Sequence, residues 1–247
     1  MQLSKIQNYT QELLCVGQFK DYCPNGLQIE GKPEVQRLVS GVTANQALID
    51  AAIDLQADAI IVHHGFFWKN EASPIVGLKK NRIKALLDHN ISLLAYHLPL
   101  DAHPTLGNNA QLGRVLGLQS VKFFGEQNLI AQADTPSLTV ADWAKRLTQA
   151  LGRTPLLIGD AERKIKRIAW CTGGAQSYLE AAIDAGADAF ITGEASESIV
   201  HLARESGVAY FAAGHHATER YGIQALGAHL ADAFQLWHQY VDIDSPV

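Results

Sequence analysis

The sequence predicts an α/β protein made of two similar halves, and three observations carry that prediction. Apolar runs such as Ala59-Ile60-Ile61-Val62 and Ile91 to Ala95 are short and do not alternate with polar residues, as in strands of a parallel sheet covered by helices on both faces. Stretches with apolar residues at helical spacing lie between such runs. Residues 167–194 then overlay residues 37–64 at a constant offset of 130 without a gap. Gln46/Gln176, Ala51/Ala181, Ala52/Ala182, Ile53/Ile183, Asp54/Asp184, Ala57/Ala187, Asp58/Asp188, Ala59/Ala189 and Ile61/Ile191 are identical pairs. An ungapped register of this kind points to a duplicated strand–helix–strand unit. The expected division is a first α/β domain over 1–125, completed by 231–247, and its duplicate over 126–230.

Ser4 is placed to cap a first helix with Ile6, Tyr9, Leu13 and Leu14 on one face. Cys23-Pro24-Asn25-Gly26 breaks it with turn chemistry, and Leu27-Gln28-Ile29 resumes as a short extended segment. Val35 to Val42 reads as a strand. Thr43 or Asn45 can start the next helix, whose apolar stripe is Leu48, Ala52 and Leu55. The Ala59 strand follows and ends in His63-His64-Gly65. After a polar loop through Glu71-Ala72-Ser73-Pro74 comes a helix with Ile83, Leu86 and Leu87, then the Ile91 strand ending near His97. A Gly107-Asn108-Asn109 turn opens a helix through Leu112, Val115 and Leu116. In the second half, Val208 to Ala213 reads as a strand ending in Gly214-His215-His216, and a helix through Ile223, Leu226 and Leu230 follows.

Composition sets the class. The 247 residues are 47% hydrophobic and 18% charged, ordinary for a globular protein with a full core. A net charge of −5 with a pI near 6.0 gives no electrostatic basis for binding nucleic acid or an anionic membrane. Cys15, Cys23 and Cys171 lack metal-type spacing and point to a reducing compartment without disulfides. No long apolar segment follows Met1, and no run of about 18 apolar residues occurs anywhere. A soluble cytoplasmic protein is expected.

Polar residues at the carboxyl ends of strands are where α/β sheets collect ligands. Neighbouring strand residues point to opposite faces, so His63 and His64 are expected to serve one ion each rather than chelate a single ion. Alternatively they cap backbone groups or stand in solvent. His97 and Asp101 are four apart, as are His215 and Glu219, which can place a histidine and a carboxylate on one face of a first helical turn. Imidazole and carboxylate are the usual donors for Zn²⁺, Mn²⁺ and Fe²⁺. These six side chains suit a pair of ions with a bridging carboxylate and open positions for water.

Gly41-Val42-Thr43, Ala57 through Gly65, His97-Leu98-Pro99-Leu100-Asp101-Ala102, Ile191-Thr192-Gly193-Glu194 and Gly214 through Glu219, with Pro24-Asn25-Gly26-Leu27-Gln28 near the start, resemble the Nif-three-like family. Its members are often labelled GTP cyclohydrolase I type 2 homologues, and the resemblance covers nearly the full chain. It implies two similar, intertwined three-layer α/β/α domains with a dinuclear metal centre between them, and a toroidal homohexamer. The family's ligand pattern carries over onto His63, His64, Asp101, His215 and Glu219. It implies two divalent ions per subunit, whether Zn, Mn, Fe, Ni, Co or Mg, with Glu219 or Asp101 as the bridge. Beside that set, His97 fits an acid–base role better than that of a sixth ligand. Glu194, at the place of His64 in the repeat, reads either as a hydrogen-bond partner of metal-bound water or substrate, or as a helix cap.

His216 and His103 are candidate substrate contacts. Gly173-Gly174 reads as a tight strand–helix turn rather than a phosphate cradle, since no Walker lysine accompanies it. Phe66, Phe67 and Trp68 either wall a pocket or serve packing and subunit contact, and Cys171 reads as core. The resulting expectation is a metal-dependent hydrolase acting on a nucleotide or related small molecule, with His97 and Glu194 as catalytic candidates. The other reading is a non-catalytic metal-stabilised ring that binds protein partners.

Overall fold

The computed structural model describes residues 1–247. Its first elements are α1 (Leu3–Leu13), β1 (Gly26–Ile29), β2 (Arg37–Thr43), α2 (Gln46–Asp54), β3 (Ala59–His64), α3 (Gly77–Asp88) and β4 (Ser92–Ala95). There follow α4 (Leu98–Ala102), α5 (Asn108–Val115), β5 (Lys122–Phe124), β6 (Ile130–Thr139), α6 (Val140–Leu151), β7 (Leu156–Ile158) and β8 (Lys164–Trp170). The chain ends with α7 (Leu179–Asp184), β9 (Ala189–Thr192), α8 (Glu197–Ser206), β10 (Ala209–Ala212), α9 (His215–Phe234) and β11 (Trp237–Tyr240). No helix is long and apolar enough to cross a membrane.

Two compact units emerge, Met1–Leu100 with Gly222–Ile243, and Asp101–Tyr221 with Asp244–Val247. In the first, the sheet runs β1-β4-β3-β2-β11. The last four of these strands are mutually parallel, while β1 is antiparallel to β4. Val39, Leu48, Ile49, Ile60, Val62, Leu86 and Leu93 form one face of its core. Every residue of β3 from Ala59 to His63 is buried, so its unbroken apolar run reflects cover on both faces. The Asn45 side chain caps α2 by accepting from the Leu48 N–H at 2.9 Å. Ser4, in contrast, lies inside α1. That helix begins two residues earlier than a Ser4 cap would place it, with Gln2 as N-cap; Leu3 is buried and its N–H donates to Pro33 O at 2.8 Å, which replaces a side-chain cap.

The second unit has a six-stranded sheet in the order β5-β6-β8-β9-β10-β7. Only β8, β9 and β10 are parallel; β5, β6 and β7 pair antiparallel with their neighbours. Both sheets are thus mixed rather than purely parallel, because antiparallel strands extend the parallel centre of each toward its edges. Leu112, Leu116 and Leu118 pack with Trp143, Trp170 and Phe211 in this unit's core. That packing draws residues 101–125 into the second unit and moves the division from the expected position 125 to Leu100/Asp101.

The sequence repeat corresponds to a repeated clasp. Arg37 O accepts from Asp58 N at 2.9 Å, and Arg167 O accepts from Asp188 N at 2.9 Å. Asp58 Oδ2 accepts from the N–H groups of Gln36 and Arg37, and Asp188 Oδ2 from those of Lys166 and Arg167, all within 2.8–3.0 Å. Asp58 ties the start of β2 to the start of β3, and Asp188 ties the middle of β8 to the start of β9.

Candidate metal centre

In the first unit, β3 delivers His63 and His64 at its carboxyl end. Here the expectation of opposite faces gives way: the two rings lie 4.6 Å apart between centroids. The pleat governs a strand's interior, whereas His64 is the last residue of β3. The next residue, Gly65, packs closely, since a Cβ there would lie 2.6 Å from the Ala95 Cβ. His97 joins them, and one ring nitrogen from each of His63, His64 and His97 falls within 4.8 Å of the others. His63 is buried, and its Nδ1 donates to the Tyr96 carbonyl at 3.0 Å. A carbonyl only accepts, so the neutral ring carries its proton on Nδ1 and its lone pair on Nε2, the form a metal ligand takes. His64 Nδ1 shares a 3.1 Å hydrogen bond with Thr43 Oγ1 at the end of β2.

His97 is held by a residue the sequence does not mark. Its Nδ1 donates to Asp21 Oδ1 at 2.9 Å, and its backbone N–H donates to Asn25 Oδ1 at 2.7 Å. Asn25 Nδ2 in turn donates to Asp21 Oδ2 at 2.9 Å, and Leu98 N to the same oxygen at 3.0 Å. Burial raises the Asp21 pKa, but the hydrogen bond and charge of His97, with Asn25 and the Leu98 N–H, more than offset it and bring it to about 2. The edges and faces of Tyr22 and Trp68 enclose the His97 ring, each with its centroid 5.1 Å away. The available signal was the Cys23-Pro24-Asn25-Gly26 turn, which reads only as a break.

In the second unit, Asp101 on α4 and the first turn of α9 supply carboxylates and a histidine. Asp101 is 6% exposed and Glu219 is 3% exposed, and carboxylate oxygens of the two lie within 4.8 Å of each other. Asp101 Oδ1 accepts from Asn108 Nδ2 at 2.8 Å and Thr172 Oγ1 at 3.3 Å. His215 stands between two acids, with Nδ1 at 2.7 Å from Glu194 Oε1 and Nε2 at 3.0 Å from Glu219 Oε2. Burial lowers the His215 pKa, yet the hydrogen bonds and charges of Glu219 and Glu194 prevail and lift it to about 9. Gly173 makes room for this pair: it has φ +70°, and a Cβ there would collide with Glu219 Oε1 and lie 3.1 Å from His215 Nε2. Gly173-Gly174 therefore serves close approach to side chains, as a tight turn would. Glu194 holds the His215 ring, and it does not cap α8, whose N-cap is Ser196.

The other candidates make contacts of their own. His103 Nδ1 accepts from the N–H groups of Leu106 at 3.0 Å and Thr105 at 3.3 Å, which stabilises its own turn. The His216 N–H donates to Val247 O at 3.0 Å. Cys171 is buried, and burial together with the charges of Asp101 and Glu219 pushes its thiol pKa well up, so it remains an inert core thiol. Phe66 is 5% exposed and belongs to the first unit's core, which removes it from the residues available for subunit contact.

A family model described as Duf34/NIF3 (NGG1p interacting factor 3) matches residues 1–245. A Pseudomonas aeruginosa protein named GTP cyclohydrolase 1 type 2 homolog is 52% identical over 249 residues, covering 99% of this chain and 98% of its own. The Escherichia coli K12 protein of the same name is 48% identical over 252 residues, covering all of both chains. Among solved structures, one described as protein ybgI, of unknown function, aligns over the whole of both chains with a TM-score of 0.95 at 48% identity. The structure of TTHA1606 from Thermus thermophilus also covers both chains fully, with a TM-score of 0.91 at 33% identity.

Proposed function

The chain belongs to the Duf34/NIF3 family, and on that premise we propose that it is a hydrolase dependent on two divalent metal ions, acting on a nucleotide or a related small molecule. His63, His64, Asp101, His215 and Glu219 are the proposed ligands. One observation carries the reading: Asp101 and Glu219 are buried carboxylates within 4.8 Å of each other. Two such groups repel each other and favour positive charge between them; His215 supplies it when protonated, and a bound cation would supply it once His215 serves as a neutral ligand. The cradle at Gly173, which a Cβ would fill, keeps Glu219 and His215 in place for that charge. The donor chemistry also fits, since His63 offers Nε2 and His215 is backed at Nδ1 by a carboxylate, as in carboxylate–histidine–metal arrangements. Imidazole and carboxylate donors suit Zn, Mn, Fe, Co, Ni or Mg.

Ions of this kind supply Lewis acidity and a nucleophilic water near neutral pH. This chain's own residues do the rest. His97 carries a proton at Nε2 to the leaving group, Glu194 holds the His215 ring, and Trp68 and Tyr22 shield the His97 side. The name of the relatives suggests GTP, a purine nucleotide within the proposed class. We also infer that the two units are duplicated three-layer α/β/α domains, that the chain assembles as a closed hexamer, and that it works in the cytoplasm, where its three free cysteines stay reduced.

Elemental analysis of protein reconstituted with each metal tests the site. About two ions per chain are expected, with lower occupancy in His63→Ala and Glu219→Ala and unchanged occupancy in His103→Ala. Absence of bound metal under every condition would overturn the ligand assignment. Turnover of a nucleotide and phosphoester panel by metal-loaded protein tests the hydrolase; bound metal without turnover of any member would favour the non-catalytic ring.

A further inference from the structure

We propose that Asp21 is a positioning residue for His97: it fixes the ring as the Nδ1–H tautomer and leaves Nε2 as the nitrogen that takes and gives the proton. The inference rests on the reading of His97 as a proton carrier. Three features of the fold support it. The two contacts on His97, from Nδ1 to Asp21 and from the backbone N–H to Asn25, are joined by the Asn25–Asp21 hydrogen bond into a closed ring of three residues. Such a ring restrains both the backbone and the side chain of His97. The Asp21 carboxylate is otherwise saturated with donors: the Tyr22 N–H at 2.7 Å and the Leu98 N–H at 3.0 Å also point to it. These are backbone groups that cannot reverse their polarity, so the carboxylate stays an acceptor and His97 Nδ1 must be the donor. Finally, the Asp21 side chain is only 4% exposed, so water does not compete for that bond.

A carboxylate behind a histidine also occurs behind metal ligands, so the experiment separates the two roles. Full-length protein labelled with ¹⁵N-histidine and loaded with zinc is measured by solid-state NMR, with His97 assigned by difference against His97→Asn. The parent protein should show His97 protonated at Nδ1. In Asp21→Ala that signal should be lost to the Nε2–H form, and formate, which refills the space of the carboxylate, should restore it. Asp21→Val provides a second route if the alanine variant does not fold, since it fills more of the space and likewise leaves no acceptor facing Nδ1. Zinc content should be unchanged in both Asp21 variants. On any substrate the protein turns over, Asp21→Ala should lower kcat by about 10²-fold with KM little moved, in the range a general acid–base histidine contributes. An unaltered His97 spectrum in a folded Asp21 variant overturns the proposal. Loss of zinc in His97→Asn would instead make His97 a ligand and end the proton-carrier reading. The tautomer measured on chelated protein would still report what Asp21 does.

Discussion

Asp21 shows how one side chain can be both buried and strongly acidic. Its ordinary carboxyl pKa is 3.8 and its folded value is about 2, so the folded state binds the proton less readily than the unfolded chain. The stabilisation is therefore complete above about pH 4 and is lost as pH falls toward 2, a contribution of about 2 kcal/mol. Urea unfolding of chelated protein across this interval should show that slope in the parent and not in Asp21→Asn. A parent curve that matches the variant would mean Asp21 is not held by these donors. His97 was visible in the sequence because it ends an apolar run, whereas Asp21 was not. Its partner lies 76 positions away, and no periodicity links a residue in a short turn to a strand end that only folding brings near.

Among the elements, the duplicated clasp lends itself to comparison. Asp58 accepts from two backbone N–H groups and from Lys32 Nζ at 2.7 Å, with 12% of its side chain exposed. Burial raises its pKa, and the Lys32 hydrogen bond with the Gln36 and Arg37 N–H groups outweighs that and lowers it. Asp188 accepts the equivalent pair of N–H groups but is 30% exposed. Asp58→Asn leaves a backbone donor facing an amide N–H and should cost about 1–3 kcal/mol; Asp188→Asn, closer to water, should cost less. Thermal or urea unfolding of the two variants decides the order, and equal losses would show that exposure does not separate the two clasps. This repeat was legible because it preserves identical residues at one offset. The central strands were legible because burial on both faces leaves only apolar residues. The antiparallel strands β5, β6 and β7 were not, since their partly exposed residues mix polar and apolar types and resemble loops. At the candidate site, the histidines and carboxylates at strand ends were legible as residue types, but the convergence of the His63 and His64 rings depends on where β3 ends.

At the scale of the whole molecule, assembly depends on which apolar residues remain outside. Phe66, a candidate for subunit contact, is taken up internally, and so is the apolar face of the first helix: Ile6 and Leu14 are buried, and Tyr9 Oη meets His229 Nε2 at 2.7 Å. Ile75, Val76 and Leu78 remain, and Leu78 is 74% exposed. A hexamer held by such residues should withstand salt, because screening over about 10 Å at 0.1 M acts on charges. Light scattering should give a single species near six times 26.9 kDa at low and high salt, and Leu78→Asp should shift it to smaller sizes. A monomer under all conditions would end the ring proposal, and dissociation by salt would point to a charged interface.

The two units are also discontinuous, and that has a consequence in time. The first unit needs β11, which pairs along β2 from Trp237↔Arg37 to Tyr240↔Ser40, and this strand belongs to the returning segment Gly222–Ile243. On the ribosome, the first hundred residues emerge with one long side of their central sheet open. They must wait until the whole of the other unit has been translated, an interval on the order of ten seconds at typical elongation rates of about 5–20 residues per second. Through that interval the nascent chain presents an unpaired parallel edge to its neighbours on the polysome. The half that is begun first therefore closes only near the end of synthesis, and its edge must be sheltered while it waits.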